Sequence, residues 1–407
     1  MTRSTANFTL DAIPIFYSER MVADIESFSP SAGKPRDVVK SWHALGMPLR
    51  IVAPQPASVD QLCLAHDRGF VEDILACRTK NGFGNTSPAV ADALPWTSGA
   101  MLSAAREAIS NGHVAVAPCS GFHHASHDSC YGFCTFNGLM VTAAALLHEG
   151  QAARVGILDC DTHHGDGTEA IRHKLGLEAH VPHYSAGATW HQPGQAKKFL
   201  RTLPSIVESF AGCDVLLYQA GADPHIDDPL GGWLTTEQLA ERDRIVFETA
   251  HRIGLPLAWN LAGGYQTPLR RVLDIHDNSL RICAHVFAAT SDAASPTAPE
   301  PTSSDTENII MSAPKNDKTG ACRTCCYWSE LIAKTRGGAL VAMCLAEQGP
   351  RAWRYTRDDA NCVAWQEARD GTIDDPETGH LARARVQRPT NQDISSSEGP
   401  EAHAMRS

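Results

Sequence analysis

The sequence predicts an α/β protein built on a parallel β-sheet with helices on both faces, joined to a small cysteine-rich C-terminal module. Between about residues 12 and 290, short apolar runs alternate with helical patterns, and polar residues follow each run. Strand–helix alternation of this kind is typical of parallel sheets covered by helices. A change of composition after residue 290 separates the C-terminal part.

Four short apolar runs have the length and composition of buried strands. They occupy residues 114–117, 154–158, 215–218 and 257–261. Runs of this length, bounded by polar residues and glycines, are typical of strands that are covered on both faces. We therefore expect these four runs to form short buried strands.

Two helices between the strands have recognisable ends. One runs from Asn137 to Glu149 and is closed by glycine. The other begins at Thr235, where Thr235-x-x-Gln238 has the form of a capping box, and runs to Ile253 before a second glycine. A hydroxyl at the cap and an amide three residues later satisfy free backbone groups at a helix start, and glycine ends a helix readily.

Composition divides the chain into four parts. Residues 1–290 form the predicted catalytic domain, and 291–318, rich in Ser, Thr, Pro, Ala and Asp, form a predicted flexible linker. Residues 319–370 recover Trp, Tyr and Cys and predict a small module. The polar residues 371–407 predict a disordered tail.

The overall composition excludes some classes of protein. The 407 residues carry a formal net charge of −11, which opposes direct nucleic-acid binding. No apolar run approaches a membrane span, and the first residues show no signal-peptide pattern. Eight of the 13 cysteines are scattered singly, as in reduced proteins. We expect a soluble, cytoplasmic protein, and the oligomeric state stays open.

Polar residues that suit a chemical site follow each predicted strand. In chain order they are His123-His124, then Asp159-x-Asp161-x-His163, then Asp223, then Gly263-Gly264-Tyr265. Ligands of open parallel sheets bind beyond the carboxyl ends of the strands. The four segments are therefore predicted to meet in one crevice.

The second of these segments predicts a metal site. In an extended backbone Asp159, Asp161 and His163 project to one side, and Asp223 supplies a further oxygen. Burying several carboxylates without a cation or partners costs several kcal/mol each. Two Asp and one His leave an open position, which is typical of catalytic rather than structural sites. Zn²⁺ fits this set, and Fe²⁺ or Co²⁺ also does. For the histidine pair alone, a surface location is an equal alternative.

Several motifs in order resemble the histone deacetylase and acetylpolyamine amidohydrolase family, in its bacterial branches, over about residues 12–290. They are Ser120-Gly-Phe-His123-His124, Tyr131-Gly132-Phe133-Cys134, Asp159-x-Asp161-x-His163-His164-Gly-Asp166, Gly221-Ala-Asp223-x-His225-x-Asp-Asp228-Pro-Leu230-Gly-Gly232 and Gly263-Gly264-Tyr265. The resemblance implies an arginase-like fold, an open and mostly parallel sheet with helices on both faces.

The resemblance also implies roles for these residues. It makes Asp161, His163 and Asp223 the metal ligands and His124 the general base, and it makes Tyr265 the donor to the developing oxyanion. Asp166 would orient His124, and Asp159 would orient His123. A substrate tunnel would be lined by Gly132, Phe133, Trp190 and Leu230.

The chain departs from the family pattern at the outer wall of this tunnel. The family's second tunnel aromatic belongs to a Phe-Phe-Pro-Gly run, and here the corresponding stretch is Trp190-His191-Gln192-Pro193-Gly194. The second wall is therefore predicted to be polar or formed by Trp190.

The C-terminal module carries a candidate second metal site, at Cys322, Cys325, Cys344 and Cys362. About fifty residues rarely build a self-sufficient core, so a stabilising cross-link is expected. In a reducing compartment a structural Zn²⁺ is a more stable cross-link than disulfides. An iron–sulfur cluster and plain buried cysteines are the alternatives. This module resembles no known family.

The predicted function is a zinc-dependent deacetylase that acts on acetyl-lysine side chains or on acetylated polyamines and other amines. One alternative is a ureohydrolase on the same sheet, which needs a second Asp/His cluster that the sequence does not display. The other is a catalytically idle acyl-lysine binding protein. The presence of all the ligands, both histidines and Tyr265 argues against idleness.

Overall fold

The structure is a computed structural model that describes residues 10–288, 328–334, 340–344 and 355–357. It divides into two units, residues 1–298 and 299–407. The predicted linker, the tail and most of the predicted module lie outside the described residues.

The first unit contains a seven-stranded, all-parallel sheet in the order β2-β1-β3-β7-β6-β4-β5. The strands are β1 Ile13–Phe16, β2 Leu49–Val52, β3 Val114–Ala117, β4 Val155–Asp159, β5 His183–Ser185, β6 Val215–Gly221 and β7 Leu257–Ala262. The four predicted strands correspond to β3, β4, β6 and β7, and they lie side by side. The predicted fold class is confirmed.

Alternate residues of the central strands enter two separate cores. In β3, Val114 and Val116 belong to the first cluster of buried side chains, whereas Ala115 and Ala117 belong to the second. Successive side chains of a strand point to opposite faces, so each cluster lies on one face of the sheet. Nearly continuous apolar strands result from this double burial.

Helices cover both faces. They are α1 Lys34–Ala44, α2 Val59–Leu62, α3 Arg68–Leu75, α4 Pro88–Asn111, α5 Gly138–His148, α6 Asp166–Leu175, α7 Ala196–Glu208, α8 Thr236–Arg252 and α9 Arg270–Phe287. Side chains of α1, α7, α8 and α9 enter the first cluster, and those of α3, α4, α5 and α6 enter the second.

The two predicted helix starts are confirmed by their caps. Asn137 precedes α5 and its side chain accepts a hydrogen bond from the backbone N–H of Met140 at 3.1 Å. Thr235 caps α8 and accepts from the N–H of Gln238 at 3.2 Å, while the Gln238 amide oxygen accepts from the N–H of Thr235 at 3.0 Å. Each cap satisfies donors that a helix start leaves free.

In the second unit the described residues form an antiparallel sheet in the order β10-β9-β8, from β8 Trp328–Lys334, β9 Leu340–Cys344 and β10 Tyr355–Arg357. Cys344 ends β9, and Cys322, Cys325 and Cys362 lie outside the described residues. The metal site predicted there stays a prediction. Among the helices described above, none is long and apolar enough to cross a membrane.

Candidate metal centre and catalytic groups

The candidate site lies at the carboxyl ends of the four central strands. Asp159 is the last residue of β4, and Asp223 follows the end of β6 by two positions. The histidine pair follows β3, and Tyr265 follows β7. Because β3, β7, β6 and β4 are adjacent, all four segments meet at one edge of the sheet.

Three ligand-type side chains lie together at this edge. One oxygen of Asp161, one nitrogen of His163 and one oxygen of Asp223 all lie within 4.8 Å of one another. His163 Nδ1 is 3.0 Å from Asp161 Oδ1 and 3.1 Å from Asp223 Oδ2. Ligand atoms at about 2 Å from one zinc ion lie at separations of this size. In the part of the chain that the structure describes, this is the one cluster of its kind.

Hydrogen bonding and charge at the cluster fit a cation. His163 Nε2 lies 3.1 Å from the carbonyl oxygen of Leu230. An N–H at Nε2 that donates to this carbonyl leaves the lone pair of Nδ1 for a metal. Asp223 Oδ2 is buried and receives no well-directed hydrogen bond from the described residues. The adjacent carboxylates of Asp161 and Asp223 raise the pKa of His163, and burial raises the pKa of Asp223. The cluster thus favours a positive charge at its centre.

Backbone atoms pack closely around these ligands. A Cβ at Gly263, whose φ is +48°, would lie 2.1 Å from the Asp223 carboxyl carbon. A Cβ at Gly187 would lie 2.2 Å from the carbonyl carbon of His163. Only glycine allows this approach at either position.

His123 and Asp159 form a buried pair beside the cluster. His123 Nδ1 lies 2.8 Å from Asp159 Oδ2. The other Asp159 oxygen accepts from the backbone N–H of Asp161 at 3.1 Å and from the Gln219 amide at 3.0 Å. Burial alone would lower the pKa of His123, but the charges of Asp159 and Asp161 raise it to about 9. The two carboxylates therefore favour the protonated form of His123.

His124 is held in a different electrostatic environment. Its Nδ1 lies 2.8 Å from Asp166 Oδ1, and the Tyr131 hydroxyl donates to the other oxygen of Asp166. Burial and the nearby charge of His123 lower the pKa of His124. Two adjacent histidines whose pKa values are pushed apart suit different roles, and the neutral His124 is the one able to accept a proton.

Tyr265 presents a neutral phenol to the cluster. Its backbone N–H donates to Asp228 Oδ2 at 2.7 Å, which fixes the residue after β7. Burial and the charges of Asp223 and Asp161 raise its pKa well above 10. The hydroxyl therefore stays protonated and available as a donor.

Comparisons with known proteins identify the family of this chain. The histone deacetylase domain matches residues 31–185 and 177–279. The chain belongs to the histone deacetylase family. A probable deacetylase of Methanothermobacter thermautotrophicus is 23% identical over 274 residues, 59% of this chain and 81% of the relative. The acetylpolyamine amidohydrolase of Mycoplana ramosa is 29% identical over 175 residues, 36% of this chain and 50% of the relative.

A solved structure has the same fold. The acetylpolyamine aminohydrolase of Burkholderia pseudomallei superposes with a TM-score of 0.52 and 17% sequence identity, over 68% of this chain and 99% of that one. The arginase-like deacetylase fold that the motifs imply is thus confirmed. The family and the names of its members support a deacetylase activity for this chain.

In this member of the histone deacetylase family, sequence reasoning missed two buried cations. The ammonium group of Lys34, on α1, donates to the carbonyl of Gly263, and burial lowers its pKa to about 8. Arg242, on α8, donates from Nη1 to the carbonyls of Cys160 at 3.3 Å and Gly221 at 2.5 Å. These carbonyls lie at the ends of β4 and β6, so Arg242 joins the two strands that carry the ligand segments. A polar residue inside an amphipathic helix gives no local signal of such a role.

A third missed residue, His66, supports the loop that follows the histidine pair. Its Nδ1 lies 2.8 Å from the Ser126 carbonyl oxygen, and its Nε2 accepts from the backbone N–H of Asn137 at 2.8 Å. Burial lowers its pKa to about 4. The loop is thus held against the start of α5.

The predicted tunnel residues lie in different places. Gly132 and Phe133 occupy the centre of a tight turn with φ of +59° and +63°, and a Cβ at Gly132 would lie 2.7 Å from the His124 ring. Leu230 has an exposed side chain, and its backbone carbonyl oxygen lies 3.1 Å from His163 Nε2. Trp190 is buried, packs on Phe199 and donates to the Tyr184 hydroxyl at 2.7 Å.

The structure therefore places Trp190 in the core, so the prediction that it forms the second wall is wrong and the polar alternative stays a prediction. An apolar indole gains more from the core under α7 than from an exposed opening. Three aromatic rings contact Phe133: Tyr265 with ring centroids 5.8 Å apart, Phe83 at 5.9 Å and Phe28 at 6.4 Å.

Proposed function

We propose that this protein is a metal-dependent amidohydrolase that removes the acetyl group from an acetyl-lysine side chain or an acetylated polyamine. The observation that supports this most strongly is the meeting, at one sheet edge, of a three-ligand cluster, a neutral histidine and a neutral phenol. These are the groups that hydrolysis of an unactivated amide requires. The deacetylase names of two relatives agree with the proposal.

In this proposal Asp161, His163 and Asp223 hold the metal. Zn²⁺ suits two carboxylates and one imidazole, and Fe²⁺ or Co²⁺ would also be accepted. When bound, the ion supplies Lewis acidity, which polarises the amide carbonyl and makes water a stronger acid.

His124 serves as the general base and then as the general acid. Because its Nδ1 faces Asp166, its Nε2 is the nitrogen that takes a proton from water. The same nitrogen returns that proton to the amine as the carbon–nitrogen bond breaks, so the products are acetate and the free amine. Asp166 orients this ring, and Asp159 holds the cationic His123, which stabilises negative charge nearby.

Tyr265 donates a hydrogen bond to the carbonyl oxygen as that oxygen gains negative charge. Removal of comparable donors costs about 10²–10³ in kcat. Gly132, Phe133 and Leu230 surround the entry path of the acyl-amine arm in this proposal.

The test is a substrate and metal assay on one purified sample. Acetyl-lysine peptides and N-acetylated polyamines are incubated with the protein, acetate release is measured, and the metal content is determined. We expect about one catalytic divalent ion per chain and turnover that disappears on chelation and returns with Zn²⁺, Fe²⁺ or Co²⁺. Full activity in an exhaustively chelated sample would exclude the metal role. A metal-loaded protein without turnover would exclude the proposed deacetylase activity.

A further inference from the structure

Phe28 is exposed beside the candidate site. It lies between β1 and α1, and its 63% exposure is the highest of the large apolar side chains that the structure describes. Its ring nevertheless stacks on Tyr265, with centroids 5.9 Å apart and planes at 17°, and on Phe133, at 6.4 Å and 28°. Phe133 and Tyr265 are themselves 5.8 Å apart. We call these three mutually contacting rings the aromatic triangle.

Hydrogen bonds hold the segment that carries Phe28. The backbone N–H of Ala23 donates to the carbonyl of Ala32 at 3.0 Å, which closes the segment into a loop. Next to Phe28, the buried Ser29 donates from its backbone N–H to the Ser27 hydroxyl at 3.1 Å. The exposed ring is therefore presented by an organised loop.

Other exposed apolar side chains also adjoin the chemical groups. Tyr131 is 50% exposed, and its ring lies 4.8 Å from that of His124. Leu230 is 41% exposed, and its carbonyl meets the ring of His163. Exposed apolar surface that surrounds polar chemical groups is characteristic of a ligand site, because a soluble protein otherwise covers it.

We propose that Phe28 is a specificity-determining residue that packs against the aliphatic arm of the substrate. This inference rests on the proposed function. The amide carbonyl has to reach the Tyr265 hydroxyl, and Phe28 stacks on the ring of that same tyrosine, so Phe28 contacts the part of the substrate that follows the amide nitrogen. A chain of methylene groups is the chemistry that aromatic faces bind by apolar contact. Acetyl-lysine and acetylated polyamines share this arm.

The test measures how activity depends on arm length. Linear N-acetyl-alkylamines with one to five carbons are compared in the metal-loaded full chain, its Phe28→Ala variant and Phe28→Tyr. In the parent, kcat/KM should rise with arm length. In Phe28→Ala it should fall by about tenfold for the five-carbon arm and stay unchanged for the one-carbon arm, through KM rather than kcat. Phe28→Tyr should retain most of the parent's preference.

A matched control removes apolar surface elsewhere. Val59→Ala, at an exposed apolar residue of α2, should leave the dependence on arm length unchanged. An equal loss for short and long arms in Phe28→Ala would mean that Phe28 acts only through Tyr265, and it would overturn the proposal. A Phe28→Ala variant with the parent's dependence of kcat/KM on arm length would also overturn it.

Two further measurements separate the possible failures. N-acetylputrescine and an acetyl-lysine peptide should both be affected by Phe28→Ala, and an effect confined to the peptide would overturn the assignment to the arm. Calorimetric titration of the same alkylamine series should show affinity that rises with arm length in the parent and not in Phe28→Ala. If the parent binds in this way without turnover, the proposed function fails while the contact stands. Binding that does not depend on arm length overturns the contact.

Discussion

Replacement of Tyr265 by phenylalanine removes one hydroxyl and leaves its surroundings in place. The backbone N–H of residue 265 still donates to Asp228, and the ring still stacks on Phe28 and Phe133. The metal ligands do not include this residue. We therefore expect a folded protein with unchanged metal content and unchanged substrate affinity.

The expected loss is in kcat. Burial and two nearby carboxylates keep the phenol protonated, so the parent offers a full donor throughout the pH range of an assay. Loss of one such donor corresponds to about 10²–10³ in kcat, or about 2.7–4 kcal/mol of transition-state stabilisation. Because the phenol does not titrate in this range, the pH profile of the residual activity should keep the parent's shape.

The assay is steady-state kinetics on an acetylated amine, with metal content and melting temperature measured on the same samples. Tyr131→Phe is the matched control, because it also removes a hydroxyl beside the site, but one that donates to Asp166. It should reduce kcat far less. A Tyr265→Phe variant with normal kcat and a raised KM would make Tyr265 a binding residue and refute the reasoning.

Four further predictions concern the metal, the base, stability and the domain boundary. Asp223→Ala should lose both metal and activity, whereas Asp227→Ala, at an exposed neighbour, should keep both. The metal content of the two purified variants tests this, and an Asp223→Ala variant that keeps its metal would contradict it. His124→Ala should lose nearly all kcat/KM at every pH while it still binds metal, and a variant with the parent's pH profile would give the role of base to another group. His66 has a folded pKa of about 4, below its unfolded value of about 6.5, so the unfolded chain binds the extra proton. Its contribution to the free energy of unfolding, about 3 kcal/mol in all, should be present above pH 6.5 and be lost as the pH falls towards 4. Denaturant titrations at several pH values should show that the free energy of unfolding falls less steeply between pH 6.5 and 4 in His66→Phe than in the parent. A chain that ends after residue 290 should fold and deacetylate small substrates, because all the residues of the two core clusters that the structure describes lie at or before Ala288; an inactive, insoluble product would contradict this.

The parts of the fold that sequence could predict are those with a local signal. β3, β4, β6 and β7 are buried on both faces, so each is a continuous apolar run. The edge strand β2 is half exposed and contains Arg50, and β5 has three residues, so neither produces a clear run. The polar residues of the site could be located as well, because they directly follow these apolar runs.

Contacts between distant parts of the chain left no such signal. The bond between Lys34 and the carbonyl of Gly263 joins positions 229 residues apart. The stacking of Phe28 on Tyr265 joins two loops that only the sheet order brings together. Trp190 illustrates the opposite error, since its place in the motif suggested the opening, whereas its size and apolar character favoured the core.

The backbone packed around Asp223 and His163 at Gly263 and Gly187 would also limit which ion the proposed site can hold. Main chain packed this closely moves less readily than side chains do, so the Asp223 carboxylate and the His163 backbone have little room to shift when an ion binds. Ions of different radius would then be sorted by fit, and little ordering entropy would be lost on binding. Exchange of one metal for another in this protein should accordingly depend on ion size and supply, with no folding step to wait for.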